Sequence, residues 1–441
     1  MTVADIAWID DFVRGISEYV CVRERDSLLI LLPNQAYKLN TTGVALLKRT
    51  LEGAPIARVL NEGPPGIAAN EQAIEDVHSF FCDVRSLVMG CLGEGKGRRA
   101  VDHVPFSRPH NVLPVLSEIA LTYRCNLSCR FCYAGCRCSR QPASGEMTTQ
   151  QVAQVLGIIR RDAEVPSVSW TGGEPALRAD LVELTQLATD IGLRVNLITN
   201  GTLITRELAS ALKGAGLRSA QVSIEGPDAS VHDALTQAAG SFERTVAGID
   251  ALSEAGVHVH TNTTVNSANA PHLRGIVDFA ARLGMKRLSM NMVIPCGSAP
   301  DGDVTITYTQ TAGLIEEARK AARAAGIEFL WYSPTPYCIF NPIASRLGGK
   351  SCAACDGLLS VAPNGDVLPC SSLPRSVGNL LRAPFDRVWN SRKAVFWREK
   401  RYAGRICRQC ELFDLCTGAC PIYWKAMGRD EIKNARRRSR T

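Results

Sequence analysis

Residues 118–133 read EIALTYRCNLSCRFCY, and they set the reading of everything around them. A strand-like apolar run, EIALTY, leads straight into a loop carrying Cys125, Cys129 and Cys132 in the spacing C-x3-C-x2-C. Three thiolates on one short loop can hold three irons of a [4Fe–4S] cube. The fourth iron is then left open, as in a catalytic metal site that keeps one position for substrate. A zinc loop or a set of reduced free thiols is the plain alternative.

Beyond this loop a regular alternation begins. Strand-like runs recur at EIALTY, SVSW, RVNLIT, AQVSIE, VHVHTNTTV and RLSMNMVI. Helical spacing lies between them, as in Leu177, Leu181, Leu184 and Leu187, or Phe242, Val246, Ile249 and Leu252. Each unit takes about 30 residues, the size of a βαβ element. Six such units predict an α/β fold, a parallel sheet curled into a partial (β/α)6 TIM-like barrel over residues 115–330. Its chemistry belongs at the C-terminal ends of the strands.

Composition bounds the rest. The chain has 441 residues, 46% hydrophobic and 21% charged, which excludes a disordered chain. The longest aliphatic run, Leu28–Leu32, is far short of the roughly 18 residues of a membrane span. The opening MTVADIAWIDD has acids where a signal peptide carries basic residues, so a cytoplasmic protein is expected. A net charge of +7 is too mild to argue for nucleic acid. Seventeen cysteines in a chain of this length point to metal or redox chemistry rather than a disulfide scaffold.

The thiol spacing after a strand, with Phe131 before the third cysteine, resembles the radical S-adenosylmethionine (SAM) enzymes. The resemblance implies that SAM chelates the open iron. One electron from the cube then cleaves it to methionine and a 5′-deoxyadenosyl radical, which abstracts hydrogen from substrate. Other family elements recur at the strand ends. Thr171-Gly172-Gly173-Glu174-Pro175 resembles the GGE element, with Glu174 expected to accept a bond from the SAM ammonium and the glycines to let the backbone approach a ligand. Asn200 in Thr199-Asn200-Gly201, and Ser223 and Glu225 in Ser223-Ile224-Glu225-Gly226, take family-like positions near the ribose and carboxylate. Asn262 and Thr264 follow on strand five, and VHDALT with Gly240-Ser241-Phe242 resembles the next connecting loop. Cys136 and Cys138 fall outside the motif and read as buried or free thiols. No catalytic acid or base is fixed.

A second cysteine field closes the chain, over residues 331–441. Cys355-x9-Gly365-x4-Cys370, then Cys407-x2-Cys410-x5-Cys416-x3-Cys420, is similar to the SPASM extension of radical SAM enzymes, which carries auxiliary iron–sulfur clusters. The resemblance assigns Cys355, Cys370 and Cys420 to a first auxiliary cluster, with Cys352 or Cys338 as fourth ligand. It assigns Cys407, Cys410 and Cys416 to a second. No cysteine follows Cys420, so the second cluster takes a non-thiolate ligand such as Asp430, an open iron, or a smaller nuclearity. Structural zinc is the alternative here, since C-x2-C units also suit S4 sites. Ser371 stands where sulfatase-maturing relatives place an acid, which speaks against formylglycine formation. An external one-electron donor such as flavodoxin or ferredoxin is implied.

Residues 1–92 read as a separate winged-helix-like module, joined by a Gly- and Pro-rich linker at 93–114. VCVRERDSLLILL suggests a hairpin with Asp26 near its turn. LNTTGVALLKRTLEG suggests a helix stopped at Gly53. After the break at 63–66, Val77, Phe80, Val84 and Leu87 mark one face of another helix. The module holds 8 Lys+Arg against 12 Asp+Glu, which disfavours DNA. Together with the DVHSF helix it resembles PqqD-like domains, which implies capture of a precursor peptide's leader as an added strand. Cys21, Cys82 and Cys91 read as inert thiols. The expectation is an enzyme that modifies a peptide or small protein by cross-linking, epimerisation or oxidation. The alternatives are radical modification of a small molecule such as a tetrapyrrole side chain, and a non-catalytic zinc scaffold.

Overall fold

The computed structural model describes residues 3–32, 35–63, 71–89, 101–103, 112–136 and 145–438. Most of the break at 63–66, most of the 93–114 linker, Cys91 and Cys138 lie outside the described residues. Two compact units, Met1–Leu116 and Ser117–Thr441, make up the chain.

In the first unit, β1 (Val20–Arg23), β2 (Leu28–Leu31), β3 (Gln35–Leu39) and β4 (Val101–His103) form an antiparallel sheet in that order. The β1–β2 hairpin is the one read from VCVRERDSLLILL. Its turn is fixed by a buried bidentate pair: the Arg23 guanidinium donates to both Asp26 carboxylate oxygens at 2.9 and 2.8 Å. Arg23 also donates to the Leu113 and Pro114 carbonyls, and the Val112 N–H to Asp26. The apolar run in β2 is explained by burial on both faces. Leu29 packs with the helices, while Leu28 and Ile30 pack with Ala36 and Val115. The helix Thr41–Leu51 starts where Asn40 accepts from the Gly43 N–H at 2.7 Å, and the chain turns away at Gly53, whose φ is +91°. Glu71–Val88 buries Val77, Phe80, Val84 and Leu87 on one face.

In the second unit seven strands run parallel in chain order: β5 (Leu116–Thr122), β6 (Ser167–Gly172), β7 (Arg194–Thr199), β8 (Leu217–Ser223), β9 (His258–Val265), β10 (Arg287–Met292) and β11 (Glu328–Trp331). The sequence gives six; the seventh is the four-residue EFLW, too short to show a period of its own. Helices fill each crossover, and Val168, Trp170, Val195, Leu197, Ala220, Val222 and Leu288 are fully buried in the sheet. Leu177 belongs to a short 3-10 turn, Pro175–Leu177, and the helix behind it begins at Leu181. The sheet stays open, a partial barrel: β5 pairs with β12 (Leu358–Val361), which continues antiparallel through β13 (Asp366–Leu368) and β14 (Gly378–Asn379). The cysteine-rich end thus extends the sheet beside the strand that feeds the thiol loop. No helix among the described residues is long and apolar enough to cross a membrane.

Removing one partner of a buried pair leaves an uncompensated charge. Asp26→Ala is therefore expected to destabilise the first unit by about 3 kcal/mol or more. Denaturant unfolding with amide exchange across Val20–Leu31 checks this, and unchanged protection there contradicts it.

Candidate metal centres

The thiol loop leaves β5 at Thr122 and is gripped from two sides. On one side the Gly173 N–H donates to the Thr122 carbonyl, and the Glu174 N–H to the Arg124 carbonyl, both at 2.8 Å. A Cβ on Gly172 would lie 2.1 Å from the Thr122 carbonyl oxygen, and one on Gly173 2.1 Å from that of Arg124. Gly172 also has φ +125°, a region that side chains disfavour. These glycines serve close approach, as the sequence suggests, but what comes close is the backbone of the thiol loop. On the other side the Ser128 and Arg130 N–H groups donate to the Thr236 and Leu235 carbonyls at 3.2 and 2.9 Å. That helix end is pinned by Asp233, which accepts from Gly240, Ser241 and Phe242. The Arg130 guanidinium donates to the Gly302 carbonyl, and the Ser298 N–H to the Cys132 carbonyl at 2.8 Å.

Within the loop Cys125 is buried and Cys129 and Cys132 are half-buried, packed with Tyr123, Leu127 and Ala134. Cys136 joins them, hydrogen-bonded to Cys132. That bond, with the N–H groups of residues 134–136, holds the Cys132 thiol down to about 6, while Cys136 is driven up. Burial pushes Cys125 up to about 12 and Cys129 well above its ordinary value. A metal held here would displace protons from Cys125 and Cys129, the usual coupling of a metal to its thiols.

The other residues singled out in the sequence collect around the loop to different degrees. Glu174 is fully buried. Its oxygens accept from Thr199 Oγ1 at 2.8 Å, the Ala176 N–H at 3.0 Å and the Asn200 N–H at 2.8 Å. The carboxylate thus ties β6 to β7, and a ligand ammonium would come as an additional donor. Asn200 reaches the loop directly, with Nδ2 3.0 Å from Asn126 Oδ1 and 3.9 Å from the Cys125 sulfur. Thr202 closes this network by donating to Asn200 and accepting from Asn126. Glu225 is buried and accepts from the Thr264 N–H at 2.9 Å, and burial raises its carboxyl to about 8. Ser223 is half-buried, opposite Asn262 in the β8–β9 register. Asn262 bonds Asn291 and Ser289 within the sheet. Asn126, Thr202 and Asn269, which donates to the Glu225 carbonyl, carry no mark in the sequence beyond being polar. Nor does Glu118, a half-buried residue whose carboxyl is raised by desolvation and bonds Ser360 at 2.7 Å and Ser371.

The second cysteine field divides into two groups. Cys352 acts electrostatically on Cys355, Cys370 and Cys420, and Cys420 acts on Cys370 as well. Buried cations brace this group. Arg398 donates to the Cys355 carbonyl at 2.9 Å and Lys400 to the Cys352 carbonyl at 2.6 Å, and Lys400 forms an ion pair with Asp356 at 3.0 Å. Cys407, Cys410 and Cys416 form the other group. Among the described residues no three His, Cys, Asp or Glu are arranged to hold a single metal ion. A cube spreads its thiolates over separate irons, and grouped soft donors suit it.

Comparison with known proteins finds two family matches within the second unit. Residues 119–291 match the model of the radical SAM superfamily, and residues 350–411 that of the SPASM iron–sulfur cluster-binding domain. The chain is 31% identical over 334 residues to the AdoMet-dependent heme synthase of Methanosarcina barkeri, covering 71% of this chain and 93% of that protein. It is 29% identical over 330 residues to the PqqA peptide cyclase of Rhizobium meliloti, covering 72% and 85%. The structure of Streptococcus suis SuiB bound to precursor peptide SuiA shares the fold with a TM-score of 0.68, at 17% identity, over 93% of this chain and 96% of that one.

The close approach at β6 separates two glycines. Gly173→Ala forces a methyl onto a carbonyl and is expected to cost about 1–3 kcal/mol. Gly157, inside the helix Thr149–Arg161, has nothing within 4 Å of its would-be Cβ. Gly157→Ala is expected to stabilise by about 0.5–1 kcal/mol. Denaturation midpoints of the two variants check the contrast, and equal midpoints contradict it.

Proposed function

Because the chain belongs to the radical SAM superfamily and carries a SPASM iron–sulfur domain, we propose that it is an enzyme that modifies a precursor peptide or small protein by hydrogen abstraction. Cys125, Cys129 and Cys132 hold the cube that binds SAM. Gly172 and Gly173 set the distance to that loop, and Glu174, Asn200, Ser223 and Glu225 line the SAM side. When bound, the cube supplies one electron that cleaves SAM to methionine and a 5′-deoxyadenosyl radical, which removes hydrogen from the substrate. Cys352, Cys355, Cys370 and Cys420 hold one auxiliary cluster, and Cys407, Cys410 and Cys416 contribute to another. A flavodoxin or ferredoxin in the cytoplasm supplies the electron. The products fall among cross-linked, epimerised or oxidised peptides.

The observation that carries the peptide reading is the free edge of the first unit's sheet. Among the described residues β1 pairs with β2 alone. The Leu32 N–H donates to the Tyr19 carbonyl. By the antiparallel alternation, Cys21 and Arg23 then bond inward, and the Val20 and Val22 N–H groups point outward. An extended leader can add there as a strand, in the manner of PqqD-like domains, and tethering raises the concentration of the segment to be modified. The peptide-bound SuiB fold and the peptide cyclase relative support this reading. The heme synthase relative favours a second reading, a tetrapyrrole side chain as substrate.

Anaerobic incubation with SAM, reductant and the short peptide encoded beside its gene is expected to change the peptide's mass. An unchanged peptide beside a modified tetrapyrrole contradicts the peptide reading. Cys129→Ala is expected to bring 5′-deoxyadenosine formation to background while peptide binding persists. Val22→Pro removes one outward N–H from an edge strand that tolerates proline. It is expected to weaken peptide binding about tenfold, with peptide-independent SAM cleavage unchanged.

A further inference from the structure

Three thiols, Cys407, Cys410 and Cys416, make up the second auxiliary group as the family pattern gives it, and no cysteine follows Cys420. The fold brings one further thiol toward this group. Asp430, the carboxylate candidate, is paired instead with Lys433 at 2.7 Å.

The segment that reaches the group is the one after β11. The Tyr337 N–H donates to the Cys416 sulfur at 3.5 Å, and the Cys416 thiol donates to the Thr335 carbonyl at 3.8 Å. Cys338, next along the chain and itself exposed, lies one residue from that contact. Its thiol feels Cys416 and Cys407, and Arg436 acts on both Cys338 and Cys407. The segment is anchored on its own account. The Trp331 indole donates to Thr335 Oγ1 at 2.8 Å and the Tyr308 hydroxyl to the Pro334 carbonyl at 2.9 Å. The Ile339 and Phe340 N–H groups close a turn on the Pro336 carbonyl at 2.8 and 3.1 Å. Cys352, the other cysteine considered for the first auxiliary group, acts electrostatically on Cys355, Cys370 and Cys420, which makes four thiols for that group without Cys338.

We propose that Cys338 is the fourth thiolate of the second auxiliary cluster, completing the set begun by Cys407, Cys410 and Cys416. On binding, its thiol gives up a proton and its sulfur bonds one iron. Four thiolates leave no iron open to substrate, so this cluster relays electrons. The proposal rests on the reading of two auxiliary clusters in the second cysteine field.

The test uses full-length protein reconstituted anaerobically with iron and sulfide, as wild type, Cys338→Ala, Cys338→Ser and Asp430→Ala. Iron per chain, Mössbauer and EPR spectra, and reduction potentials are recorded. The wild type is expected to hold three cubes. Cys338→Ala is expected to lose about a third of that iron, or to show a three-iron signal absent from the wild type. Cys338→Ser keeps the cube at a shifted potential, and Asp430→Ala matches the wild type. The EPR change of the SAM-binding cube on adding SAM reports that each variant is folded. Should Cys338→Ala lose that response, Cys338→Ser decides: a shifted potential supports the proposal and an unshifted one overturns it. Wild-type iron and spectra in Cys338→Ala, or loss of the cube in Asp430→Ala, also overturns it. Iron for a single cube in the wild type overturns the two-cluster reading itself, a result distinct from the others.

Discussion

Two backbone hydrogen bonds hold the candidate active centre together, from Gly173 to Thr122 and from Glu174 to Arg124. They splice the end of β6 onto the loop leaving β5, at a separation where any side chain on either glycine would strike a carbonyl oxygen. The rest follows in order. The splice fixes where the thiol loop starts, and with it Cys125. It also turns Glu174 toward Thr199 and Asn200 at the end of β7. Asn200 then returns to the loop through Asn126 and the Cys125 sulfur. Ends of neighbouring parallel strands are thereby converted into a rigid rim, and rigid elements hold ligands more accurately than free loops do.

The division of the second cysteine field has its own local cause. Thr417, Gly418 and Ala419 all have positive φ, at +53°, +79° and +58°. Two of these are not glycine, and Thr417 is β-branched, so the turn is strained by about 1–3 kcal/mol at each such residue. It reverses the chain between Cys416 and Cys420, sending neighbours in sequence to different groups. Thr417 Oγ1 accepts from the Cys352 N–H at 3.1 Å, which fastens the strained turn to the first auxiliary group. Backbone strain of this kind persists where the surroundings over-determine the conformation.

What was legible in the sequence divides along the same lines. The thiol trio, the six longer barrel strands and the β1–β2 hairpin are local patterns of spacing and period, and they read directly. The glycines of the GGE element read as sites of close approach, but their partner, a carbonyl some 50 residues earlier in the chain, has no local signature. β11 is too short to declare itself. The polar network of Asn126, Thr202 and Asn269 depends on how loops from different strands meet. Cys338 is the clearest instance. A spacing pattern ranks cysteines by position along the chain, whereas the contact between Tyr337 and Cys416 spans 79 residues and exists only once the segment after β11 is folded.

Whether three thiols behind β5 hold an open cube that takes SAM is tested most directly by electron–nuclear double resonance. The protein is reduced anaerobically and SAM is added with an isotopic label on its amino nitrogen. A hyperfine coupling between that nitrogen and the reduced cube is the expected result. Zinc in place of iron at Cys125, Cys129 and Cys132, or a cube whose spectrum is indifferent to SAM, contradicts it.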